Sequence, residues 1–233
     1  MKLKAFASAV ALVCFAPMAQ AATLDFIAEA DNNERGVEDG TVITMDGVDV
    51  TFSANGGYFA YFDHGNAGLG VCQNVTDFSN GGTSNRCASG ASDDNVTMSE
   101  AVTIAFDTAM NLSGLVFQQE GHTPFSNSAT ALQKTLLFAI NGGILGRYTF
   151  GNLQTLSFAN VLSATFAFDD SSFDPVTANG LTRNAEQFYL ASATVAPVPL
   201  PAALPLLLAG LGGLGLLARR KRKAAGSFSA MNV

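Results

Sequence analysis

The sequence predicts an all-β fold, a β-sandwich or jelly-roll-like domain, together with one C-terminal transmembrane helix. Val48, Val50 and Phe52 alternate with polar residues, as several later segments do, and this period of two is typical of strands. Turns rich in Gly, Asn, Asp and Ser separate these segments, and no long stretch has the 3.6-residue period of a helix. The third observation is an uncharged, Leu-rich run at residues 202–218, whose 17 residues are about the minimum for a helix that spans a bilayer.

The strands of the central segment are predicted in order along the chain. Asp46-Gly47 and Asn141-Gly142 are the strongest turn signals, because each lies between two strand-like segments. No helix is predicted between the signal peptide and the C-terminal span. Two connections, 64–96 and 169–184, are longer than strand connections normally are, which is typical of either functional or poorly ordered loops. The predicted strands are 42–44, 48–52, 58–62, 102–106, 115–118, 132–140, 144–150, 153–158, 161–168 and 187–195.

The N-terminal residues predict a signal peptide, residues 1–21. Two lysines precede an apolar run, and Ala19 and Ala21 supply the small side chains of a cleavage site. We expect signal peptidase to cut after Ala21 during export. The exported β-domain then spans residues 22–195.

A three-part segment at the C-terminus predicts a membrane anchor. A Pro-rich linker at 196–201 precedes the apolar run, and a basic tail at 219–233 follows it. Consecutive positive charges hold such a tail in the cytoplasm, so everything upstream lies on the far side of the membrane. The Pro-rich motif consists of Val198, Pro199, Leu200, Pro201 and Ala202, and the basic stop of Arg219, Arg220, Lys221, Arg222 and Lys223.

This order of Pro motif, apolar helix and basic stop resembles the PEP-CTERM sorting signal in its VPLPA variant, which occurs on exported proteins of polysaccharide-producing Gram-negative bacteria. The resemblance covers about 15 per cent of the chain. It implies that an exosortase-type transpeptidase recognises the tail and cuts near the Pro motif, after which the domain is released or transferred to the surface. Residues 224–233 follow the basic stop, whereas such signals usually end soon after it. An ordinary single-pass anchor that is never cut is the alternative.

The exported segment is strongly acidic. Residues 22–198 contain all 19 acidic residues but only five of the 12 basic ones, which gives a net charge of −14 against −7 for the whole chain. Such a surface repels nucleic acid and anionic lipid and attracts cations, so nucleic-acid binding is excluded. A soluble acidic surface without a partner is the alternative to a cation-rich environment.

The two cysteines of the exported segment, Cys72 and Cys87, lie in a stretch rich in Gly, Ser and Asn. In an oxidising compartment such a pair predicts a disulfide. Closing a loop of about 16 residues contributes roughly 3 kcal/mol in the chain-entropy model. A metal-binding pair is the alternative, but neither a CxxC spacing nor a nearby His cluster supports it.

An oxygen-rich cluster before the strand at 102–106 is a candidate Ca²⁺ site, and no other cofactor is expected. Ca²⁺ takes six to eight oxygen ligands, and this cluster supplies them at close spacing. The string at 92–106 also resembles one that recurs in the body of PEP-CTERM proteins. A solvated turn is the favoured interpretation of this cluster, and the Ca²⁺ site is the alternative. The candidate ligands are Asp93, Asp94, Asn95 and Glu100, and a second acidic cluster contains Asp169, Asp170 and Asp174.

The chain has two histidines, His64 and His122, and each follows a carboxylate, that of Asp63 or Glu120. A neighbouring carboxylate can orient an imidazole as a ligand or base. Two histidines without a third ligand at a recognisable spacing form a poor metal site, so surface histidines in loops are the favoured interpretation. No HExxH or GxSxG motif indicates a protease or esterase.

These patterns predict an exported surface or extracellular-matrix protein with a structural or adhesive role in an exopolysaccharide or biofilm context, and no enzymatic activity. A carbohydrate-binding module is the first alternative. It requires an exposed aromatic face at Tyr58, Tyr61 or Tyr148, although the chain has no Trp. An extracellular hydrolase is the second alternative, and it requires two carboxylates about 5 to 10 Å apart or a metal held by His64 or His122.

Overall fold

The structure, a computed structural model, describes residues 20–76, 85–88, 94–172, 185–198 and 210–211. Residues 20–198 belong to one structural unit, which contains every strand of the described residues. Nearly all of the predicted signal peptide, the whole basic tail and all but two residues of the predicted membrane helix lie outside the described residues. Among the residues that are described, no helix has both the length and the apolar character needed to cross a membrane.

Strands make up most of the secondary structure in the described part of this unit, and two short helices interrupt them. The all-β prediction is therefore confirmed at the level of fold class, whereas the sandwich or jelly-roll arrangement stays a prediction. The elements are β1 (Ala22–Asp25), α1 (Phe26–Asn32), β2 (Arg35–Val37), β3 (Thr41–Met45), β4 (Val48–Ala54), β5 (Phe59–Asp63), β6 (Gly68–Cys72), β7 (Ala101–Gln119), β8 (Thr135–Ile140), β9 (Gly146–Thr149), α2 (Phe150–Thr155), β10 (Phe158–Phe168) and β11 (Phe188–Pro197).

All eleven strands belong to one hydrogen-bonded antiparallel network. Its main path runs β2-β5-β6-β11-β7-β10-β8-β9, while β1 pairs with β11 and the β3–β4 hairpin joins through β4 to β7. The long strand β7 is the centre of the network, because β4, β10 and β11 all pair with it. The side chains of Val50 and Phe52 on β4 are fully buried, as the alternation in the sequence predicts.

The predicted strands at 102–106 and 115–118 are parts of one strand, β7, which has 19 residues. The prediction of two strands was wrong because the polar residues between them resemble a turn. The strand continues through this stretch instead, since Met110 pairs with Val161 of β10 and with Pro197 of β11. Gly114 bends the strand with φ +57°, a conformation that side chains other than glycine rarely adopt.

The two predicted hairpin turns are confirmed. Asp46 and Gly47 have φ +46° and +77°, and Asn141 and Gly142 have φ +55° and +66°. Positive φ at both central residues is the signature of a type I′ turn, which suits the right-handed twist of paired strands. Asn141 also accepts a hydrogen bond from the backbone N–H of Leu162 at 2.6 Å, and this fixes the turn against β10.

The prediction that no helix lies between the two chain ends was wrong. Helix α1 begins where Asp25 accepts a hydrogen bond from the Ala28 backbone N–H at 2.9 Å. Helix α2 replaces the first half of the predicted strand at 153–158, and Thr149 caps it. Short polar side chains at these positions satisfy a free N–H of the first turn, so a helix of only two turns or less forms once tertiary packing buries its apolar side.

Phenylalanine rings fill the core between these elements. The ring of Phe117 on β7 meets those of Phe150, Phe166 and Phe188 edge to face, with centroids 5.2 to 6.0 Å apart. Phe125 stacks on Phe150 at 3.8 Å, which holds α2 against the sheet. A residue pattern cannot show this packing in advance, because the rings come from five distant segments.

The prediction of a long loop at 64–96 was wrong in part. It contains β6, whose five residues are all buried between β5 and β11. Glycine made this strand hard to recognise, although it is required there. A Cβ on Gly70 would collide with the backbone of Asp94 and Asn95, which crosses directly over the strand.

Candidate functional site

The predicted disulfide between Cys72 and Cys87 is confirmed, with the two Cα atoms 5.8 Å apart. It ties the end of β6 to residues 85–88. Backbone hydrogen bonds hold the same segment, since the N–H of Gly36 on β2 donates to the carbonyl oxygen of Asn85 at 2.7 Å. The disulfide therefore fixes the position of the residue beside Cys87, which is Arg86.

Arg86 extends over the carboxylate of Glu34, which lies between α1 and β2. Its Nη1 is 2.9 Å from Oε2 of Glu34, and the Arg86 side chain is 60% exposed while that of Glu34 is only 11% exposed. The hydroxyl of Tyr61 donates to Oε1 of Glu34 at 2.7 Å. Nδ1 of His64 lies 3.0 Å from Oε2 on the remaining side. Burial raises the pKa of Tyr61, and the neighbouring Glu34 carboxylate raises it further, so the phenol keeps its proton.

Asp63 is the last residue of β5 and is 4% exposed. Its two carboxylate oxygens face the two histidines, with Oδ2 3.1 Å from Nε2 of His122 and Oδ1 3.8 Å from Nδ1 of His64. Burial, with the charge of the nearby Asp94 as the next cause, raises the pKa of Asp63 to about 6. The carboxyl group of Asp63 therefore changes its protonation state slightly below neutral pH.

The geometry around His122 fixes where its ring carries a proton. Nδ1 lies 3.0 Å from the carbonyl oxygen of Gly65, which can only accept, so Nδ1 carries hydrogen. Nε2 then faces Oδ2 of Asp63 at 3.1 Å. The Tyr189 ring packs edge-on against the imidazole at 5.4 Å, so the His122 ring is held between Tyr189, Gly65 and Asp63.

The fold thus brings together residues that sequence reasoning kept apart. His64 follows β5 directly, and His122 lies in the turn after β7, so the sheet carries both histidines to Asp63. The sequence pairs His122 with Glu120, but in the structure its Nε2 faces Asp63. Glu34 was missed altogether, because it lies in an unremarkable polar stretch and no local motif marks it.

The predicted calcium ligands are used in separate contacts. Asp94 accepts a hydrogen bond from the hydroxyl of Tyr189 at 2.5 Å. Glu100 is 1% exposed, and its two oxygens accept from Gln73 Nε2 and from the Thr97 backbone N–H, both at 3.0 Å. Asn95 is fully buried, and Asp93 lies outside the described residues. The calcium hypothesis for this cluster stays a prediction.

The two described residues of the second acidic cluster make an ion pair and a hydrogen bond within the domain. Asp169 is fully buried, and its Oδ2 lies 2.7 Å from Nε of Arg147. Asp170 accepts from the Ser99 backbone N–H at 2.9 Å, which joins the end of β10 to the start of β7. Asp174 lies outside the described residues.

The aromatic segment at 58–62 faces largely inward. Tyr61 is 1% exposed and Phe62 is fully buried, so these two rings do not contribute to an exposed platform. Tyr58 and Tyr148 are half-buried, and the ring of Tyr148 packs edge-on against Phe138 at 5.8 Å.

A shallow cavity of about 210 Å³ opens above the Glu34 carboxylate, with His64 and Arg86 on its rim. Pockets that enclose organic ligands usually measure about 300 to 1,000 Å³ and are lined mainly by apolar side chains. This cavity is smaller and lined mostly by polar residues. Its chemistry therefore suits an ion or water better than a sugar ring.

Comparison with known proteins identifies the C-terminal segment. The family model of the PEP-CTERM protein-sorting motif matches residues 197–223, which run from the last residue of β11 to the end of the basic stop. The chain thus carries a PEP-CTERM protein-sorting motif, as the resemblance implied, whereas the VPLPA variant stays a prediction. No curated protein and no solved structure matches the chain. Of the predicted sorting residues, Val198 alone is among the described residues.

Proposed function

We propose that this PEP-CTERM protein is a structural or adhesive component of an exopolysaccharide-rich cell surface or biofilm matrix, and not an enzyme. The observation that carries the proposal is the sorting motif, which begins at the final residue of β11. The motif is a signal recognised by exosortase and indicates a protein that is exported to the surface. An acidic, disulfide-closed β-domain is suited to that environment, because disulfides persist outside the cytoplasm.

The proposal includes the route of export. Signal peptidase removes residues 1–21, the helix at 202–218 holds a precursor in the inner membrane, and exosortase cuts at the motif of the VPLPA type. Helix positions 210 and 211 support this route, since both are helical. We also infer that the sheet folds over on itself as a sandwich. The support is that every residue of β6 is buried, which requires cover on both faces of that strand.

The experiment that tests the sorting route compares the chain with the double variant Pro199→Ala/Pro201→Ala in the producing cell. Intact mass is measured for the protein from the membrane, the surface and the medium. We expect the unaltered chain to begin at Ala22 and end near residues 198–202, and the variant to remain in the membrane at the length of the precursor. Equal release of both proteins would refute exosortase processing.

The structural role is tested on the released protein and its polysaccharide. We expect the protein to remain with the extracted matrix and a deletion strain to form a weaker matrix, without any release of reducing sugar. Saturable binding to one defined oligosaccharide would favour a carbohydrate-binding module instead. Release of reducing sugar would favour a hydrolase and overturn the proposal.

A further inference from the structure

We propose that Glu34, Asp63 and His64 form a binding site for a divalent transition metal of the zinc class. Each side chain offers one ligand atom, and the three atoms lie within 4.8 Å of one another. The residues come from the α1–β2 connection, the end of β5 and the turn after it, so only the folded domain brings them together. The site is separate from the sorting motif and goes beyond the proposed structural role.

Interatomic distances match the coordination geometry of zinc. Bonds of 2.0 to 2.1 Å at tetrahedral angles separate neighbouring ligand atoms by about 3.4 Å. The distances from His64 Nδ1 to Glu34 Oε2 and to Asp63 Oδ1 are 3.0 and 3.8 Å, on either side of that value. The His64 side chain is 62% exposed, so its ring can rotate towards this separation. A water molecule from the cavity side would supply the fourth ligand.

The donor set selects the metal class. One imidazole nitrogen with two carboxylate oxygens suits zinc and its neighbours in the transition series, whereas Ca²⁺ requires six to eight oxygen atoms. Two carboxylates and a neutral imidazole also balance the charge of a divalent ion. The side chains of Glu34 and Asp63 are 11% and 5% exposed, and buried carboxylates of this kind require a nearby cation.

A second observation also indicates a cation. Oε2 of Glu34, the oxygen that faces His64, is buried and accepts no hydrogen bond of good geometry among the described residues, although Nη1 of Arg86 is 2.9 Å away. A carboxylate that binds metal through one oxygen commonly has a hydrogen-bonding partner at the other, and the hydroxyl of Tyr61 donates to Oε1 of Glu34 at 2.7 Å. Glu34 can therefore bind an ion through Oε2 while Tyr61 holds its orientation through Oε1.

Arg86 acts as the competing cation of the metal-free protein. Its guanidinium lies 2.9 Å from Oε2 of Glu34, the oxygen that also faces His64. The Arg86 side chain is 60% exposed, so it can turn outward when a metal enters. This arrangement makes a distinctive claim, because removal of Arg86 should strengthen metal binding rather than weaken it.

The test is isothermal titration calorimetry of Zn²⁺ into the full chain, free of affinity tags, stripped of metal and held in mild detergent at pH 7.5. We expect one ion per chain, and millimolar Ca²⁺ should not displace it. His64→Ala should bind about tenfold or more weakly, and Arg86→Gln about tenfold more tightly. Asp107→Asn, an exposed acid elsewhere on β7, is the matched control and should bind like the parent chain.

His64→Ala is the decisive variant, because this side chain is 62% exposed and its removal should not disturb folding. Circular dichroism of each variant confirms that the fold is retained. Absence of Zn²⁺ binding by the parent chain, or equal binding by the parent and His64→Ala, would overturn the proposal. Unchanged or weaker binding by Arg86→Gln would refute the competition between the guanidinium and the metal.

Discussion

Replacing Asp63 with asparagine should change how the stability of the domain depends on pH. The folded protein raises the pKa of this carboxyl from 3.8 to about 6, because the side chain is buried and Asp94 adds negative charge nearby. Between these two pH values the folded state binds a proton that the unfolded state has lost. The contribution of Asp63 to the free energy of unfolding is therefore fully present below about pH 4 and is lost as the pH rises through about 6.

The size of this effect follows from the two pKa values. One pH unit corresponds to 1.36 kcal/mol, so a shift of about two units is worth on the order of 3 kcal/mol. Asparagine has the shape of the protonated acid and keeps a donor towards Nε2 of His122. We therefore expect Asp63→Asn to match the parent near pH 4 and to exceed its stability by up to about 3 kcal/mol at pH 7.

The assay is urea unfolding followed by circular dichroism at a series of pH values from 4 to 7, with a chelator present so that no metal contributes. Titrating groups distant from Asp63 affect both proteins alike, so the difference between the two proteins reports on Asp63 and on the groups that face it. Those facing Asp63 are His64, His122, Glu34 and Asp94. Asp107→Asn is the control for the loss of one negative charge at an exposed position. A difference that does not grow from pH 4 to pH 7 would refute the reasoning.

Three further predictions concern the stability of the β-domain, each measured by urea or thermal unfolding. Replacing Cys72 and Cys87 with serine should lower the free energy of unfolding by about 3 kcal/mol through loss of a 15-residue cross-link, and equal stability of the two proteins would contradict this. Gly70→Ala should destabilise by about 1 to 3 kcal/mol, since the new methyl group meets the Asp94 backbone, which cannot move aside as a side chain could. Phe150→Ala should cost about 3 to 5 kcal/mol, because the ring is fully buried, and a loss below 1 kcal/mol would refute its role in the core.

Much of the fold was predictable because strand signals are local. The turns at Asp46-Gly47 and Asn141-Gly142 need left-handed residues, and the flanking alternation fixes which side chains are buried. The errors arose where distant packing decided the local structure. Helix α2 forms because Phe150 packs on Phe125, and the six residues of the helix contain no pattern that predicts this contact.

The candidate site was predictable only in fragments. Asp63 and His64 are adjacent in sequence, so their association was evident, and the cysteines were recognised from their number and environment. Glu34 joins them through the pairing of β2 with β5, which places Arg35 opposite Phe62. His122 reaches Asp63 through the turn after β7. Such contacts depend on strand order, which the residue pattern alone does not determine.

Strand β11 runs from the candidate metal site to the start of the sorting motif. Its last residue, Pro197, begins the sorting motif, and its second residue, Tyr189, packs against His122. Eight residues of extended chain separate these two, which amounts to about 26 Å at 3.3 Å per residue. The pairing of Ala22 with Val195 places the predicted mature N-terminus near the sorting end as well. A domain tethered through Pro197 would therefore have Ala22 close to the tether and the Glu34–Asp63–His64 cluster far from it, near the opposite end of β11.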